Sequence, residues 1–157
     1  MEQDELIRKH LLASLRGQNA HISFEECIKD FPKHKLNTKV KGIEYSPWEL
    51  VEHMRIAQWD ILEFIRNPGY ESPKWPEGYW PKEQGNVSKW TNAMKLFLKD
   101  RKTLENYVKD KTIDLYGPIP HAPDYTIFRE IVLVIDHNSY HTGQLVALRK
   151  AMGIWPK

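Results

Sequence analysis

A chain of 157 residues, 41% apolar and 28% charged, is long enough to close one hydrophobic core without staples, so a single globular domain spanning 1–157 is expected. Its 23 basic and 21 acidic side chains leave a net charge of +2, too small to argue for nucleic acid. One cysteine excludes an internal disulfide and fits a reducing cytosol.

The opening MEQDELIRKHLLASLRG carries charges throughout and lacks the apolar core of a secretory signal. No apolar run approaches the roughly 20 residues of a membrane span. A soluble, cytoplasmic protein with no membrane or nucleic-acid partner is therefore expected. Leu6, Leu11, Leu12 and Leu15 recur at helical spacing over about residues 2–16, with Gly17 placed to end the helix. Ser23-Phe24-Glu25-Glu26 has the form of a capping box and predicts a short helix through Cys27 and Ile28. Cys27 itself reads as a packed side chain.

The clearest helix start is Ser46-Pro47-Trp48-Glu49: an N-cap serine, proline at the first helical position, and a glutamate placed to reach back to the cap. This second long helix runs through ELVEHMRIAQWDILEFIR and stops before Asn67-Pro68-Gly69. A third is predicted from Ser88 to Val108, burying Trp90, Met94, Phe97, Leu98, Leu104 and Val108, and a fourth from Thr126 to Met152, ended by Gly153. Strand-like alternation is nearly absent. Four long helices predict an all-α protein, a four-helix bundle.

The connector NPGYESPKWPEGYWPKEQGNV decides the expected topology. Antiparallel neighbours need only about 2 to 8 linking residues. An extended connector of about 20 residues can retrace a helix about 30 Å long. The second and third long helices are thus expected to run parallel, joined by a crossover, in up-down-down-up order. A decorated loop between antiparallel helices is the other arrangement such a length allows.

Within VLVIDHNSYHTGQL, His137 and His141 stand four residues apart, stacked on one helix face with Cβ atoms about 6 Å apart. That spacing lets one helix offer two imidazoles to one ion, although it also occurs on solvated faces. The surrounding segment is too apolar for a free face, and buried histidines need partners. His53, on the other well-defined apolar helix, is the natural third. Measured from the end where the second long helix stops, His53 lies about 20 Å along, and His137 and His141 about 16 and 22 Å along an antiparallel fourth helix. A parallel pair would leave His53 out of step, at about 10 Å. Three imidazoles with positions left open describe a catalytic-type site. His121 belongs to a loop, and His10, His21 and His34 have no companions at ligand spacing. A zinc-protease His-Glu-x-x-His, a Glu-x-x-His pair and a glycine-rich phosphate loop are all missing.

Helix phase assigns supporting positions. Gln144 and Tyr140 share the histidine face and would line a pocket. Glu49, one turn before His53, could line the same mouth or serve its capping box. Asp60 and Glu130 fall on the other side of the histidine level, where a carboxylate could orient an imidazole N–H. Asp136 is rotated by about 100° from His137. The crossover returns the Trp75–Trp80 stretch to the mouth, so Trp80 would cap a small-molecule pocket or cover the bundle core.

These residues resemble the DinB/YfiT-like metalloenzyme family. The likeness is carried by Ser46-Pro47-Trp48-Glu49-Leu50-Val51-Glu52-His53, by Trp75-Pro76-Glu77-Gly78-Tyr79-Trp80-Pro81, and by Asp136-His137-Asn138-Ser139-Tyr140-His141-Thr142-Gly143-Gln144-Leu145. The family pattern is an up-down-down-up bundle with one histidine on the second helix and His-x-x-x-His on the fourth; His53, His137 and His141 match it. The resemblance implies one divalent metal ion, zinc or nickel, a homodimer, and a small-molecule substrate. Members with assigned chemistry include S-transferases that use bacillithiol, mycothiol or glutathione, and related isomerases. What it implies here is a metal-dependent transferase, using a low-molecular-weight thiol, or a hydrolase, acting on small electrophiles. A non-catalytic metal or small-ligand binding protein is the alternative.

Overall fold

A computed structural model describes residues 2–156. It is mostly helical: α1 (Gln3–Leu15), α2 (Phe24–Ile28), α3 (Pro47–Arg66), α4 (Val87–Lys109) and α5 (Ile127–Ala151), with short 3-10 turns at Lys33–Lys35 and Glu77–Tyr79. The start signals in the sequence act as expected. Ser46 and Glu49 form a reciprocal capping box on α3, with Glu49 Oε2 accepting the Ser46 N–H at 2.7 Å, and Ser23 and Glu26 do the same on α2. Gly17 follows α1 with φ +64°, a left-handed conformation in which Ser23 Cα would stand only 3.1 Å from an added Cβ.

The described residues depart from a purely helical chain at an isolated bridge between Val40 and Ile43 and at one short hairpin. β1 (Pro118–Ile119) and β2 (Ala122–Thr126) pair antiparallel between α4 and α5. Three consecutive β2 residues are exposed, so no apolar alternation marks the hairpin in the sequence. Backbone pairing makes it, and Thr126 then turns from strand into N-cap, its hydroxyl accepting the Arg129 N–H at 3.1 Å.

Two apolar clusters fill the interior. One joins Leu50, Val51 and Met54 of α3 to Trp90, Ala93 and Phe97 of α4 and to Leu145 and Leu148 of α5. The other joins Ile61, Leu62 and Ile65 to Leu104 and Val108, to Ile131 and Val134, and to Leu11 and Leu15 of α1. Early α3 residues thus meet early α4 residues and late α5 residues. Between the clusters lies a polar link: buried Gln58 donates to the Phe97 carbonyl at 2.7 Å and accepts from Asn138 Nδ2 at 3.0 Å. At the other end, Arg8 fastens α1 to the exit of α4, donating to the Val108, Asp110 and Ile113 carbonyls.

Among the described residues no helix is long and apolar enough to cross a membrane.

Candidate metal centre

The opposed packing of α3 and α5 brings His53, His137 and His141 to one level. Each offers one ring nitrogen, and the three nitrogens lie within 4.8 Å of one another. His53 and His141 are buried, and His137 is half-buried. His137 Nε2 stands 3.1 Å from His53 Nε2. Two nitrogens bound tetrahedrally at about 2.0–2.1 Å to a zinc-sized ion would be about 3.3 Å apart, so this pair already has ligand spacing.

Hydrogen bonds at the far ring nitrogens select which nitrogen faces inward. His53 Nδ1 lies 2.9 Å from the Tyr79 carbonyl, which can only accept, so Nδ1 carries the proton and Nε2 the lone pair. His141 Nδ1 lies 2.7 Å from Gln144 Oε1, which fixes the same tautomer. Burial pushes all three imidazoles below the usual histidine range; in His137 burial, then the neighbouring His141 and His53, bring it down to about 3. Three uncharged imidazoles with two orienting acceptors fit a divalent ion: the donors need lose no proton at neutral pH.

Aromatic rings wall the site. Trp80 lies flat on His53, with centroids 4.0 Å apart and planes at 4°, and Tyr45 stacks on the other face of Trp80 at 3.9 Å. Tyr140, 64% exposed, meets His141 edge-on at 5.0 Å and accepts a hydrogen bond from Gln144 Nε2 at 3.3 Å.

The other expected site residues are placed differently. Gln144 touches the centre, but as the acceptor for His141. Glu49 is engaged in the α3 capping box and in an ion pair with Lys39 at 2.6 Å, and lines a cavity of about 170 Å³ with Trp48 and Pro81 that no triad histidine lines. Asp60 does not bond an imidazole: its two oxygens accept the Tyr70 and Tyr79 hydroxyls at 2.9 and 2.7 Å. Glu130 is buried against Arg129 at 2.7 Å. From the sequence, either carboxylate could orient an imidazole N–H. The acceptors at the His53 and His141 Nδ1 atoms are instead a main-chain carbonyl and a side-chain amide oxygen. Sequence reasoning missed Tyr79, whose carbonyl does this work without a side-chain signature, and Tyr45. His121 sits at the hairpin turn, with Nε2 2.8 Å from the Phe64 carbonyl.

A family model described as the DinB superfamily matches residues 19–145 and so takes in all three histidines. No curated protein and no solved structure matches the chain.

Proposed function

The chain belongs to the DinB superfamily, and on that footing we propose a divalent-metal-dependent enzyme in which His53, His137 and His141 hold one zinc or nickel ion. Its reaction bonds the sulfur of a low-molecular-weight thiol to a small electrophile: the thiol gives up its proton, and the attacked atom releases a leaving group or a ring bond that takes up a proton. The observation that carries this reading is the convergence of three uncharged imidazoles, two with their outer nitrogens already satisfied. Three protein ligands leave room for a further one, which is the pattern of catalytic rather than closed structural sites. A divalent ion held there supplies Lewis acidity and lowers the pKa of a thiol or water that reaches it.

The chain's own groups prepare the site. The Tyr79 carbonyl and Gln144 orient two imidazoles, and Trp80 under Tyr45 keeps water from one face of His53. Tyr140 stands at the solvent side, where a small substrate would arrive. The same proposal arranges the four long helices as an up-down-down-up bundle in one domain that works as a homodimer. The shared clusters of α3, α4 and α5 support that order, as does the span from Asn67 to Asn86.

The test is metal content by elemental mass spectrometry on untagged protein, comparing wild type with a folded His137→Ala variant. About one zinc or nickel per chain, lost in the variant, supports the reading, and the cobalt-substituted protein is then assayed with thiols and electrophiles. Turnover without thiol would identify a hydrolase. A bound ion with no turnover would leave a metal-binding protein, and no stoichiometric ion would sink the metal centre altogether.

A further inference from the structure

His53 and Asp60 are seven residues apart on α3, so they share a helix face about 10 Å apart along the axis. The connector returns along that face, and Tyr79 touches both. Its carbonyl accepts from His53 Nδ1 at 2.9 Å, and its hydroxyl donates to Asp60 Oδ2 at 2.7 Å. The neighbouring Trp80 ring packs between His53 and Tyr45, and Gly78 and Tyr79 donate to the Lys74 and Pro76 carbonyls within the turn, but among the side chains of α3 only Asp60 holds the Tyr79 hydroxyl. The connector contains one 3-10 turn, Glu77–Tyr79, in a segment punctuated by prolines, and its later anchors, Trp48 to the Glu83 carbonyl and Asn37 to Gly85, lie beyond Trp80.

We propose that Asp60 is a positioning residue for the metal centre: by holding the Tyr79 hydroxyl it keeps the Tyr79 carbonyl on His53 Nδ1, and so fixes His53 in the tautomer that turns its Nε2 lone pair toward His137. The tautomer is a property of the metal-free protein; only the consequence for metal affinity rests on the function proposed above.

A plain staple between the connector and α3 would use Tyr70 equally, because its hydroxyl takes the other Asp60 oxygen at 2.9 Å. Tyr70 has no bond to His53. That difference separates the two roles. Removing either hydroxyl loosens the connector, but only Tyr79 carries the acceptor for the imidazole.

The experiment uses the full chain labelled with 15N at histidine, first stripped of metal with a chelator. Long-range 1H–15N spectra report the protonated nitrogen of each imidazole, and melting curves and cobalt(II) affinity by competition are read on the same samples. Wild type is expected to show His53 as the Nδ1–H form alone. In Tyr79→Phe and Asp60→Asn, His53 should become a mixture of tautomers, with cobalt(II) bound about tenfold more weakly. Tyr70→Phe should lose a similar amount of melting temperature yet keep both the tautomer and the affinity. If Tyr79→Phe retains pure Nδ1–H and wild-type affinity, Asp60 is only a staple and the proposal is overturned; this variant decides even if Asp60→Asn does not fold. A wild type that binds no cobalt(II) but shows the tautomer change in Tyr79→Phe would support the role of Asp60 and remove the metal reading alone.

Discussion

His53 Nε2 and His137 Nε2 face each other at 3.1 Å across α3 and α5, 84 residues apart in the chain. The Tyr79 carbonyl commits the His53 proton to Nδ1, so its Nε2 points a lone pair at His137. Two bare lone pairs at that distance repel; a proton on His137 Nε2 or a cation between the rings relieves them. A divalent ion held as proposed would do so while also engaging His141, and would stabilise the fold in so far as it prefers the folded state. Free zinc at about a hundred times its dissociation constant should therefore stabilise the protein by about 2.7 kcal/mol. In a chain of this length that is roughly 5–10 °C in melting temperature. His141→Gln should lose most of that shift, and differential scanning fluorimetry with and without zinc checks it.

Gln144 accepts from His141 Nδ1 at 2.7 Å, so it sets which nitrogen His141 turns inward. Gln144→Ala leaves His141 in place but frees its tautomer. Metal affinity should fall by about 10- to 100-fold, with little change in stability because the side chain is at the site's open side. Gln144→Glu restores an acceptor, now charged, and should recover or exceed wild-type affinity. Competition titrations with a chromogenic chelator separate these outcomes; equal affinities in all three proteins would deny Gln144 its orienting role.

Glu49 offers the opposite case, a carboxylate one turn from His53 that serves the fold. It accepts the Ser46 N–H at 2.7 Å and pairs with Lys39 at 2.6 Å. Glu49→Ala should cost about 1 kcal/mol through the lost cap, with metal affinity unchanged. A folded variant that loses metal instead would place Glu49 in the site. Urea unfolding alongside a metal titration gives both readings.

How far the sequence foretold this centre depends on what each residue uses to reach it. The triad was legible because His137 and His141 are fixed to one face by helical geometry, and the position of His53 along an opposed helix follows from rise per residue. The caps were legible because Ser46 with Glu49, and Ser23 with Glu26, are local side-chain to backbone patterns. Tyr79 was not, because it acts through a carbonyl that every residue has. Asp60 was placed at a useful level, yet its partners arrive from the connector, whose path no periodicity describes. The hairpin at Pro118–Thr126 escaped for a related reason: its exposed residues leave no apolar pattern, only paired backbone. Positions fixed by helical geometry could be read ahead of the structure, and so could Trp80 from the crossover that returns it to His53, but the hydrogen-bond partners that the connector supplies could not.

Away from the site, Glu105 of α4 is only 5% exposed and accepts from Arg16 at 2.7 Å and Lys109 at 3.3 Å. The hydrogen bond from Arg16 is the chief cause that holds its carboxyl below the usual glutamate range, burial opposing it. A carboxyl whose folded pKa is depressed adds stability above its unfolded value, about 4.3, and that stability is lost as pH falls through the lower folded value. Glu105→Gln should therefore destabilise the protein at pH 7 by about 1–3 kcal/mol, the range for a buried charged hydrogen-bond partner. The deficit should persist down to about pH 5 and shrink below it, as the wild-type carboxyl takes up its proton and loses its advantage over the amide. Urea unfolding of both proteins from pH 7 to pH 3 tests this, and a difference that stays constant across that range would show that packing, not charge, makes Glu105 matter.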